Sequence, residues 1–105
     1  MHGFEITQTA KNVIGCMFHQ DSLDGYDDVR DIIRDGVRED TKLGLEMSKD
    51  VLDRLAAGNY SIDELEDIFD RAGCDVWFGN PNIREVLAFW RAEVDKRLSS
   101  LSAKT

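Results

Sequence analysis

One apolar series near the end of the chain limits the fold more than any other feature. Ile83, Val86, Leu87, Trp90, Val94, Leu98 and Leu101 recur at intervals of three and four and hold one helical face for about five turns. Such a face must be covered, and the rest of the chain offers helices to cover it. Apolar residues recur with the same spacing nearly throughout, alternating runs are missing, and the single proline is Pro81. The expected fold is all-α, one domain over 1–105 built as a bundle of about five helices. A chain of 105 residues can bury one core without disulfides or metals. With 42% apolar and 32% charged residues it has the composition of an ordinary soluble globular chain.

The spacing predicts a first helix from about Ile6 to Met17, with Ile6, Ala10, Val13, Ile14 and Met17 inward and Thr7 as an early cap. His19 to Gly25 carries turn formers and reads as a loop. A second helix follows from about Tyr26 to Val37, with Tyr26, Val29, Ile33 and Val37 inward and Gly36 weakening its end. Asp40 or Thr41 caps a third helix reaching Ala57. Its expected inner face is Leu43, Met47, Val51, Leu52 and Leu55, and Gly58 is placed to stop it. Ser61 and Glu64 form a capping box, and Tyr60 can staple to Leu65. That helix buries Leu65, Ile68, Phe69 and Ala72 and stops at Gly73. Cys74 to Asn82 reads as a loop. The last helix starts either at Asn80 with Pro81 or at Asn82 with Glu85, and Ser99 to Thr105 are expected to fray.

Catalysis needs convergent titratable groups, and the spacing does not supply them. Cys16 and Cys74 match no zinc or redox motif and are expected to stay reduced and buried. Cys16 with His19, joined by Cys74 and His2, is a poor metal set because the pair straddles a helix end and no second pair follows. Cys16, His19 and Asp21 lie too close in sequence to converge as a nucleophile set. A calcium loop with Gly25 at its sixth position would place Gln20 first, Asp27 eighth and Asp31 last, a mismatch at all three. Neither a phosphate loop nor a serine elbow is visible. The expectation is a protein that binds, without enzymatic activity, cofactor or metal.

The charge points to what it binds. Acidic residues number 21 against 13 basic, a net charge of -8, which disfavours nucleic acid and anionic membrane as partners. Residues 21–40 and 61–80 each carry a net -5, while the remainder is slightly basic. On a helical projection Asp24, Asp28, Asp31, Asp35 and Glu39 share one stripe, and Arg30, Arg34 and Arg38 another. Carboxylates in the first turn complement the helix dipole, and exposed faces are normally charged. A solvated face and a binding ridge therefore both fit. Carboxylates four apart repel by a few tenths of a kcal/mol (about 0.2–0.5), which favours a ridge kept acidic for a basic partner. No stretch approaches the ~20 apolar residues of a membrane span. Met1 to Glu5 lacks the basic and apolar regions of a signal peptide, so the expected compartment is the cytoplasm.

Four features then give the chain a family likeness. They are Phe18-His19-Gln20-Asp21 after an apolar first helix, the acidic stretch with Tyr26, the Gly73-Cys74-Asp75 turn, and Arg84-Glu85-Val86-Leu87 opening the last helix. In order and spacing, over Val13 to Leu101, the chain resembles the immunity proteins of bacterial contact-dependent growth inhibition systems, the CdiI group. It departs from them at Ser22-Leu23, where an aromatic often follows the first run, and at Val86, where an aromatic often stands. The resemblance implies a protein that binds and neutralises the cognate C-terminal toxin domain of a CdiA-type protein, one to one and as a monomer. Many such toxins are nucleases, and the acidic ridge leads to the expectation of a basic active site in the partner. The contact is assigned to Asp21, Asp24, Asp28, Asp31, Asp35 and Glu39, and a structural role is favoured for Phe18 and His19. The alternative is an adaptor that docks another protein through an apolar groove, with Trp77 and Phe78 as anchors.

Overall fold

Trp90 is completely buried, and the Phe18 ring meets it edge-on at 5.4 Å while lying 6.3 Å from Phe69 on its other contact. These three aromatics join the first, fourth and fifth helices of the computed structural model, which describes residues 4–18, 28–74 and 82–103. The described residues form five helices and no strand: α1 (Gln8–Met17), α2 (Val29–Glu39), α3 (Lys42–Ala57), α4 (Ile62–Arg71) and α5 (Ile83–Ala103). The architecture is an all-α single-domain bundle. α5 packs against α2, α3 and α4, while α1 lies chiefly on α3 and touches α2 and α4. All five helices contribute to one core.

Each helix start has a polar cap that satisfies early N–H groups, a device that contributes about 0.5–2 kcal/mol. Thr7 accepts from the Ala10 N–H, Asp28 from Arg30, Thr41 from Gly44, and Asn82 from both Arg84 and Glu85. The Asn82 start is the one used. Ser61 and Glu64 make the reciprocal capping box, at 3.2 Å and 3.0 Å. At the other end of α4, Gly73 takes φ 93°, and the Cys74 and Gly73 N–H groups return to the carbonyls of Phe69 and Asp70. That double return closes the helix in a way that requires a left-handed residue at position 73.

Several boundaries and faces differ from expectation. α1 starts at Gln8 rather than Ile6, because Thr7 is the cap itself. α2 starts at Val29, where the Asp28 side chain captures an N–H and leaves its own backbone extended, and it continues to Glu39. In α3 the inward residues are Leu45, Ser48, Val51, Leu52 and Leu55, and Leu43 is 68% exposed. Two residues advance a helix by about 200°, so Leu45 facing in turns Leu43 out. Met47 is half-buried. Gly58 follows α3 in a right-handed conformation, and Asn59 supplies the left-handed turn at φ 51°. Position 58 is small for want of room, since a Cβ there would run into the Tyr60 ring. α5 stays helical to Ala103 instead of fraying from Ser99, because Leu98 and Leu101 still pack on the core.

Candidate functional site: the acidic edge of α2 and the groove beside it

The α2 carboxylates do not form a bare row. Asp28 caps the helix and also meets the Arg30 guanidinium at 3.3 Å. Asp31 pairs with Arg34 at 3.4 Å and Asp35 with Arg38 at 2.7 Å. The two stripes seen in projection are thus adjacent and joined by short ion pairs. Arg34 additionally lies over the Phe89 ring of α5, 5.2 Å from its centroid, which holds the arginine side of α2 toward α5. The Arg30 backbone N–H, more than any neighbouring charge, holds the Asp28 carboxyl below its ordinary pKa.

Positions four apart advance about 40° around a helix, so Asp31, Asp35 and Glu39 wind progressively from open surface toward α1 and α3. There they meet a groove. It is a cleft of 630 Å³ between α1, α2 and α3, with Val13, Met17, Ile32 and Met47 among its apolar lining and Asp35, Glu39 and Asp40 as its charged groups. No lysine or arginine lines it among the described residues. The Glu39 side chain is exposed and has no partner among the described residues, whereas Asp40 accepts the Thr41 N–H at 2.8 Å. Cys16 also lines the groove and is exposed, which corrects the expectation of two buried thiols. Only Cys74 is buried, and the two are not joined in a disulfide.

Of the six residues assigned to the contact, the structure brings Asp35 and Glu39 into the groove. Asp31 stays on the outer surface beside Arg34, and Asp28 stands at the helix start. Asp21 and Asp24 lie outside the described residues, as do His2, His19, Gln20, Gly25, Tyr26, Asp27, Asp75, Trp77 and Phe78. The groove itself is not visible in any single segment, since it takes residues from three helices. One signal for it exists: Gly36 and Gly44 sit inside helices, where glycine costs about 1 kcal/mol, and both line the cleft.

A second charged cluster joins α3 to α5. Asp53 meets Arg91 at 3.0 Å and Lys49 at 3.3 Å, and Lys49 reaches Asp95 at 3.0 Å. The Arg91 hydrogen bond, then Lys49, keeps the Asp53 carboxyl below its usual value, and Asp95 with Asp53 pushes the Lys49 ammonium up. Acid and base are balanced in this cluster, which suits a fastening between helices.

Among the described residues no three His, Cys, Asp or Glu side chains are grouped to hold a metal, and no helix is long and apolar enough to cross a membrane. Compared with known proteins, the chain finds no matching family model, no matching curated protein and no matching solved structure.

Proposed function

We propose that this chain is an immunity protein that binds the C-terminal toxin domain of a contact-dependent growth inhibition system and covers a basic active site, without catalysis of its own. The supporting observation is the edge formed by Asp31, Asp35 and Glu39, which carries acidic groups from the outer face of α2 to the mouth of the groove. The family likeness supplies the toxin. The charge supplies the chemistry of its surface, because a protein of net charge -8 is steered toward basic partners.

The arginines paired along α2 do not defeat this reading. Exposed ion pairs contribute only about 0–1 kcal/mol, so a partner's guanidinium or ammonium can take a carboxylate from Arg34 or Arg38 at small cost. In the proposal the protein acts in the cytoplasm as a monomer, in a one-to-one complex that denies substrate access to a nuclease-type site.

The test is co-expression with the toxin-like C-terminal domain encoded by the reading frame immediately upstream. Stable one-to-one co-purification and restored growth are expected. Failure to bind that domain, or binding without protection, would remove the immunity reading.

A further inference from the structure

We infer that the groove between α1, α2 and α3 is where a basic segment of the partner protein inserts, its lysine or arginine side chains laying their methylene stems on Met17 and Met47 and their heads against Glu39, Asp40 and Asp35. This rests on the reading of the chain as a binder of a basic protein, and it places the centre of contact in the cleft rather than on the outer ridge.

Three observations carry it. The first is imbalance of charge: Asp28, Asp31 and Asp35 of α2 each have an arginine beside them, whereas Glu39 and Asp40, which line the groove with Asp35, have no ion-pair partner among the described residues, and no described basic residue lines the groove. A low-dielectric cleft lined by one sign of charge concentrates ions of the other sign. The second is size. At 630 Å³ the cleft falls within the about 300–1,000 Å³ of ordinary ligand sites, too large for one side chain and suited to a short segment. The third is the lining. Two methionines offer a pliable, polarisable floor of the kind that accommodates varied side chains, and long basic residues bury their stems on apolar surface while their heads stay polar. Gly36 keeps this floor open, since a Cβ there would stand 2.8 Å from the Met17 sulfur.

A second copy of this chain is a poor occupant by the same logic. The other faces of α2 and the 61–80 segment are themselves acidic or balanced, and two chains of net charge -8 repel.

The exposed Cys16 thiol in the groove, with Cys74 buried as an internal reference, makes occupancy measurable by the rate of maleimide alkylation of the full chain. The probes are a helical peptide with arginine and leucine on one face, the same peptide with glutamate for arginine, and the upstream-encoded toxin-like domain. The arginine peptide and the toxin domain are both expected to slow Cys16 alkylation while Cys74 is unaffected. The glutamate peptide should have no effect. Glu39→Gln, at an exposed side chain with no partner among the described residues, should leave the circular dichroism unchanged and weaken the arginine peptide by up to about fivefold, the upper end for an exposed ion pair. A toxin domain that binds without protecting Cys16 overturns the groove and leaves the immunity reading standing. An arginine peptide that protects, beside a toxin domain that does not bind, keeps the groove and removes the immunity reading. Equal protection by the glutamate peptide, or protection that rises with protein concentration alone, overturns the basic occupant.

Discussion

The carbonyl oxygen of Ala72 stands 2.9 Å from where a Cβ on Gly15 would lie, so α1 crosses the end of α4 at a distance that only glycine permits. Gly15→Ala should therefore destabilise the protein by about 1–3 kcal/mol, because a backbone carbonyl cannot swing aside as a side chain can. The gain in helix propensity, up to about 1 kcal/mol, is too small to reverse the sign. Gly36→Ala is the contrast: its new methyl meets only the flexible Met17 thioether, and the urea midpoint should stay level or rise. Equal losses in both variants would mean that the approach of α1 to α4 is looser than described.

The acid and alkaline limbs of stability should come from different groups. Asp28 and Asp53 titrate below the ordinary 3.8 in the fold, so their stabilisation is complete above that value and is lost as pH falls through the lower, folded pKa. Lys49 titrates above 10.5 in the fold, so its contribution is complete below 10.5 and is lost as pH rises through the higher, folded pKa. Asp53→Asn should flatten part of the acid limb and lower neutral-pH stability by less than about 1 kcal/mol, since the pair is half-exposed. Thermal midpoints across pH check both limbs, and an acid limb unchanged in Asp53→Asn would count against the α3–α5 fastening.

Ser61→Ala removes the hydroxyl that accepts the Glu64 N–H and keeps the other half of the box, the Ser61 backbone N–H donating to the Glu64 carboxylate. The expected loss is about 1 kcal/mol, with faster amide exchange in the first turn of α4. Unchanged exchange there would show that burial of Leu65, Ile68 and Phe69 alone holds the helix start.

Asp31→Lys and Glu39→Lys should each slow association with the toxin domain several-fold at low salt, and the difference should shrink near 1 M salt, where the Debye length falls to about 3 Å. Asp70→Lys, on the other acidic segment, makes the same change in net charge and is exposed. If it slows association equally, total charge steers the encounter and the α2 edge has no special place in it.

Local chemistry made parts of this fold legible in advance. The Ser61 and Glu64 pair announces α4, and the α5 series from Ile83 to Val94 is buried at each of its positions because seven apolar residues admit only one phase. Leu43 went the other way since α3 carries two overlapping apolar rows, and only the packing of Leu45 decides between them. The α2 aspartates were legible as a stripe, but not their pairing, which depends on how far each arginine can reach along the helix surface. Beyond the hint of the helical glycines Gly36 and Gly44, the groove and the exposure of Cys16 were not legible, because the cleft exists only where three helices meet.

The position of α5 at the end of the chain order has a consequence for synthesis. Its bonds to α3 and α2 join residues 46 and 59 apart, Lys49 to Asp95 and Arg97 to the Arg38 carbonyl. While its 21 residues are being added, at roughly 5–20 per second, the inward faces of the earlier helices wait uncovered for about 1–4 s. Until then Ile33, Leu45 and Leu52 have no Trp90 or Val94 to complete the core they share. A nascent chain stalled before Ile83 would therefore be a substrate for chaperones and proteases, and acquisition of the folded state belongs to the moment α5 leaves the ribosome.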